Sequence, residues 1–198
     1  MVIQIIELSY NENHIKEIIN GKIYYMMPGT SSHVRVISRL LVEIAQYLKS
    51  IDSDCEVASE GLKVYLNGAD SENYVVPDLV VVCDMTKYSI RGYEGVPILI
   101  VEVLSPATAK KDKDEKLLEY QNAGVKEYWI VSIGDKCIEQ RVLIDGVYKL
   151  VNISFILNDI LYEIELTDEV KERYSKITSN VFSDLTIDLK EIFKKLIN

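Results

Sequence analysis

Two carboxylates sit where apolar side chains would pack better. Glu102 interrupts PILIVEVLSP, residues 97–106, and Asp78 interrupts YVVPDLVVVC, residues 74–83. Taking a carboxylate out of water is costly, so such a residue is paired, bound to a cation or turned to a cleft. For either acid alone, a strand-end position facing solvent is the simpler account. Two acids in neighbouring apolar strands ask for a joint one. If the strands pair, both carboxylates converge on a hard cation such as Mg2+, which takes one or two carboxylates together with water and phosphate oxygens. That cation would activate water and steady the charge that develops on a phosphodiester.

A further set of polar residues follows in SPATAKKDKDEKLLEYQNAG. Thr108, Asp112, Lys116 and Tyr120 recur every four residues, so one helix would carry them on a single face. The plainer reading of KKDKDEK is a solvated charge run, with Asp112–Lys116 as a surface pair of little energetic weight.

The elements that must hold these residues can be read from local signals. HIKEIINGKIYYMMP predicts two short strands around Asn20-Gly21, a strong hairpin signal. Thr30, Ser31 and Ser32 offer caps for a helix to about Lys49, with Val34, Ile37, Leu41, Ile44 and Leu48 as its core face. Short strands are expected at Glu56–Ala58 and Leu62–Leu66, then an interior strand over 74–83 bent at Pro77-Asp78. A loop through Arg91–Gly95 leads to the strand of Glu102. Ser105 and Pro106 open the charged helix, and Gly124 stops it. KEYWIVSI is a strand, CIEQRVLIDGVYKLV a hairpin turned at Asp145-Gly146, and Leu189–Leu196 a last helix. Tyr128 and Trp129 are expected in the core.

At 198 residues without repeat or linker, a single domain over 1–198 with a mixed α/β sheet is the economical expectation. The net charge of −9 argues against a protein that coats nucleic acid nonspecifically. It is compatible with a cleft that handles a phosphodiester through a divalent cation, which inverts the local electrostatics. No apolar run approaches the roughly 20 residues of a membrane span. MVIQIIELSY lacks a basic leader, so it does not read as a signal peptide. Cys55, Cys83 and Cys137 are odd in number and widely spaced. That predicts a reducing, cytoplasmic setting and neither a disulfide framework nor a structural zinc.

Pro77-Asp78, followed after a loop by Glu102-Val103-Leu104, resembles the PD-(D/E)XK nuclease superfamily. EVLSPATAKKDKDEKLLEYQNAGVKEYW is similar to the Uma-type family of restriction endonucleases. The likeness runs from Glu17 and Gly21 through His33 to the terminal LTIDLKEIF. It implies a restriction-endonuclease-like mixed β-sheet flanked by helices, with added hairpins. It further implies Mg2+-dependent cleavage of DNA, with Mn2+ as a substitute and a homodimer to cut two strands. Asp78, Glu102 and the Val103 backbone carbonyl would be the metal ligands. Two positions after Glu102, where the superfamily usually has lysine, stands Leu104. The resemblance places that lysine in the following helix, at Lys116, where it would assist the attacking water. Glu17, His33 and Asp112 would be supporting residues: Glu17 for a second metal or a water, His33 for the substrate phosphate. Lys22 replaces a frequent acid of the family's first hairpin, and Ser132 a frequent Asp. The alternative is a catalytically silent nuclease-fold module that binds nucleic acid or a protein partner.

Overall fold

A computed structural model describes residues 16–25, 28–105, 108–157 and 167–196. The amino-terminal MVIQIIELSY, Pro106 and the outer residues of the first predicted hairpin lie outside them. The framework is a six-stranded mixed sheet in the order β10-β9-β8-β7-β4-β3. Its strands are β3 (Glu56–Ser59), β4 (Leu79–Val82), β7 (Leu99–Val103), β8 (Glu127–Ser132), β9 (Cys137–Ile144) and β10 (Val147–Phe155). Only β7 and β8 run parallel; the other neighbours are antiparallel. A parallel pair needs a crossover, supplied here by the helices that carry Asp112 and Lys116. Small hairpins stand apart: β1 (Lys16–Ile19) with β2 (Lys22–Tyr25), β5 (Tyr88–Ser89) with β6 (Gly92–Tyr93), and β11 (Lys176–Thr178) with β12 (Thr186–Asp188).

Alternation along β4 and β7 splits the interior into two layers. Odd-numbered Leu79, Val81, Leu99, Val101 and Val103 join one cluster with the long helix α1 (Ser31–Ser50). Even-numbered Val80, Val82 and Ile100 join the other with Tyr120, Tyr128 and Ile130. Asp78 and Glu102 are even-numbered, so they belong to the second layer.

Several expectations are realised and several are corrected. Thr30 caps α1 by accepting from His33 N–H. Its core stripe is Val36, Ile37, Leu40, Ile44 and Leu48; Val34 is 46% exposed and Leu41 only partly buried. That stripe is rotated to meet the sheet and α4 (Leu189–Phe193), a helix that also ends short of Leu196. Residues 62–66 form no strand. Val64 makes single bridges to Val75 and Tyr93 instead. Segment 74–83 breaks at Pro77-Asp78, so that β4 begins at Leu79. Residues in the expected loop at 91–95 include the two that form β6. The charged helix is two helices, α2 (Ala109–Lys113) and α3 (Glu115–Ala123), interrupted at Asp114 with φ −112° and ψ −80°. Gly124 ends α3 in the left-handed conformation, with φ 91°.

Cys55 and Cys83 form a disulfide, against the expectation from cysteine count. They are 28 residues apart in sequence, but β3 and β4 pair Glu56 with Val82, and the cysteines are the next cross-strand pair. Cysteine spacing carries no trace of that register, so the count no longer argues for a reducing compartment. Among the described residues, no helix is long and apolar enough to cross a membrane.

The last described segment is fastened by Glu127 of β8. This fully buried carboxylate accepts from Trp129 Nε1, Gln140 Nε2, Ser179 Oγ and the amides of Asn180 and Val181, at 2.6–2.9 Å. Five donors compensate the lost hydration. Residues 185–193 thereby close the layer against α1.

Candidate active site

The register of β4 and β7 makes the site. Leu79 pairs with Val101, so one step further Asp78 stands opposite Glu102 on the same face. Asp78 Oδ2 accepts from Val103 N–H at 2.6 Å, which locks the carboxylate across the strand pair. From the odd layer, His33 reaches the same end of the sheet. Its Nε2–H donates to the Val103 carbonyl at 3.0 Å and lies 3.4 Å from Asp78 Oδ2. His33 Nδ1 is buried with no hydrogen-bond partner, 3.6 Å from Glu60 Oε1. His33, Glu60 and Asp78 each offer a ligand atom within 4.8 Å of the others.

The crossover helices supply the other half. Lys116 Nζ is 2.8 Å from Glu102 Oε1 and 2.8 Å from Glu17 Oε1, and 3.7 Å from Asp112 Oδ1. Tyr120 OH donates to Glu102 Oε1 at 2.6 Å. Glu17 Oε1 also accepts from Val76 N–H at 2.8 Å, and its Oε2 from Lys111 Nζ at 2.5 Å. Tyr128 OH holds the Asp112 backbone carbonyl at 3.0 Å, fixing α2 to the sheet. The helix break at Asp114 therefore does not separate Asp112 from Lys116. Both point inward, and the solvated-run reading holds only for the neighbours, such as Lys113 paired with Glu139 at the surface.

Burial sets the electrostatics. Glu17, Glu102, Lys116 and Asp112 are 0–2% exposed. Burial works against the charge on Lys116, but Glu102, Glu17 and Asp112 outweigh it and hold the ammonium well above the usual lysine range. Burial lifts the Glu102 carboxyl well above the ordinary carboxylate range. Lys116 offsets part of that, while Asp112, Asp78 and Glu17 add to it. Asp112 is raised for the same reason. For Glu17 burial is outweighed by Lys116 and Lys111, and its carboxyl is lowered. Burial opposes charge on His33, but the hydrogen bond and charge of Asp78 raise it.

Four buried acids, Glu17, Asp78, Glu102 and Asp112, thus face two lysines, Lys111 and Lys116. Fully ionised, these groups would carry a surplus of two negative charges, and that crowding together with burial is what raises the Glu102 and Asp112 carboxyls. Asp112 Oδ1 is buried without a hydrogen-bond partner. Hard oxygen donors, an orphaned carboxylate oxygen and this surplus fit a divalent cation. Asp78, Glu102, Val103, Lys116, Glu17, His33 and Asp112 lie in this one network, whereas Thr108 turns to Ser105 and Ser132 to Asp135. Lys111 and Glu60 were missed, the first hidden in a lysine run and the second on an exposed strand end. Tyr120 was visible through its spacing but had no assigned role.

The fold is nuclease-like. The profile of the Uma2 family, described as "Putative restriction endonuclease", matches residues 4–169, and the chain belongs to that family. Two uncharacterized proteins of Synechocystis sp. are similar. Slr1290 is 32% identical over 59% of this chain and 60% of its own length. Sll1609 is 30% identical over 58% of this chain and 64% of its own length. Both matches therefore span less than two thirds of the relative. A crystal structure of "a putative nuclease belonging to DUF820" from Anabaena variabilis shares the fold, with a TM-score of 0.64 at 16% identity over 90% of this chain and 89% of that one.

Proposed function

We propose that the protein is a divalent-metal-dependent endonuclease that hydrolyses phosphodiester bonds in DNA. The observation that carries this reading is the cross-strand meeting of Asp78 and Glu102 beside a buried lysine that donates to Glu102. Asp78, Glu102 and the Val103 carbonyl would hold Mg2+, or Mn2+ in its place. Bound there, the cation supplies an acidified water and a positive centre for the phosphodiester. The chain's own residues do the rest. Lys116 presents a permanent ammonium to the developing phosphorane charge and orients the attacking water through Glu102. Tyr120 and Val103 N–H keep the two carboxylates from turning away. His33 steadies the Val103 carbonyl from behind. The reading includes a symmetric homodimer, since one site per chain cuts one strand.

The test is cleavage of supercoiled plasmid and of a short duplex with Mg2+ and with Mn2+. Asp78→Ala and Glu102→Gln should abolish cleavage. Lys116→Ala should lower it by about 10² or more, and Lys113→Ala should match wild type. Equal rates for the two lysine variants, or a wild type that neither cleaves nor binds Mn2+ through Asp78, would leave the silent-module reading in its place. Light scattering at tens of micromolar should give the mass of two chains; a monomeric mass removes the dimer.

A further inference from the structure

We infer that Glu17 is the positioning residue of Lys116 and not a ligand of the cation. This rests on the nuclease reading of the site. A metal ligand must offer a lone pair to the metal. Both Glu17 oxygens are already engaged: Oε1 by Val76 N–H and Lys116 Nζ at 2.8 Å each, Oε2 by Lys111 Nζ. The carboxylate is fully buried, so exchanging these donors for a cation would strand two nearly buried ammonium groups at once. Its alignment points the same way. β1 pairs Glu17 with Tyr24 of β2, and the Tyr24 ring lies 5.2 Å beneath Lys111 Nζ. Asn20 Nδ2 donates to Glu119 at 2.6 Å, and Tyr24 OH donates to Glu115, fastening the hairpin to α3. The hairpin is thus fixed to the helix that carries Lys116 and brings that residue a second anion beside Glu102, at the same 2.8 Å.

The arrangement answers a problem set by Leu104. A lysine on the strand beside the metal-binding Glu would be aimed by the sheet itself. A lysine on a crossover helix, next to a helix break, has four flexible torsions and needs an external anchor. Glu102 alone is a poor one, because the cation claims it. Glu17 keeps the ammonium in place when Glu102 turns to the metal.

The experiment is a cycle of Glu17→Gln, Lys116→Ala and the double variant, read in three ways. Calorimetric Mn2+ affinity should change less than about threefold in Glu17→Gln and be lost in Glu102→Gln. A loss in Glu17→Gln as large as in Glu102→Gln would make Glu17 a ligand and overturn the inference. The kcat for duplex cleavage should fall about tenfold in Glu17→Gln with KM unchanged, and the substitution should have no further effect once Lys116 is alanine. Additive effects would mean that Glu17 acts elsewhere. Lys113→Ala, which removes a surface lysine of the same run paired with Glu139, should keep kcat. Chelator-treated thermal stability of the same four proteins should be equally non-additive, and that reading stands even if the wild type cleaves nothing. In that case the nuclease reading falls and the Glu17–Lys116 coupling is still decided.

Discussion

Glu102 receives Lys116 and Tyr120 on one oxygen while three other acids crowd the same pocket, and this has a measurable pH signature. Because its carboxyl is raised above 4.5, the folded protein holds a proton that the unfolded chain releases. The residue's contribution is fully present below the unfolded value and is lost as pH rises toward the folded one. Glutamine has no such proton. In chelator, the Tm of Glu102→Gln minus that of wild type should therefore grow from pH 4.5 to neutrality, and Mg2+ should shrink the difference by stabilising only the wild type. A difference that stays flat with pH would mean that the pocket does not hold Glu102 protonated. The two strand acids were legible because charge inside an apolar run is anomalous on its face. Glu60 and Lys111 were not, since each is an ordinary surface residue until tertiary contacts turn Lys111 toward Glu17 and bring His33 beside the still exposed Glu60.

The turn before α1 makes a similar point for the elements. Gly29 has no left-handed φ to require glycine, yet a Cβ there would come within 2.5 Å of His33 Nδ1. Gly29→Ala should fold, because the backbone tolerates alanine, but it should push His33 off the Val103 carbonyl and lose that buried hydrogen bond, at a cost of about 1–3 kcal/mol. Mn2+ affinity by calorimetry is then expected to fall several-fold. Unchanged affinity would show that His33 does not support the site. Elements set by short-range chemistry were readable in the sequence, among them the turns at Asn20-Gly21 and Asp145-Gly146, both with positive φ, and the glycine stop at 124. The core stripe of α1 was misplaced because a 3.6-residue period allows adjacent stripes, and only packing against the sheet and α4 selects between them. The break at Asp114 left no such mark, since nothing in KKDKDEK is a helix breaker by type.

For the molecule as a whole, the disulfide joins an edge strand to the strand that Asp78 begins. Closing a loop of this size typically contributes about 3 kcal/mol. Dithiothreitol should lower the unfolding free energy of wild type by about that much in urea titrations, and Cys55→Ser should show the same loss and no further response to reductant. A wild type indifferent to reductant would mean that the two thiols are not joined in solution. Register, not composition, decides this, which is why an odd and scattered set of cysteines pointed the other way. Glu127 carries a different consequence, for the order of synthesis. It leaves the ribosome 52 residues ahead of Ser179, and until then it has only its partners on β8 and β9. Through the same interval the inner stripe of α1 waits for Ile187, Leu189 and Ile192. Part of this interior layer stays uncovered until those residues have been made. The layer opposite the acidic cluster is therefore completed only after every strand and helix that carries the cluster has been made.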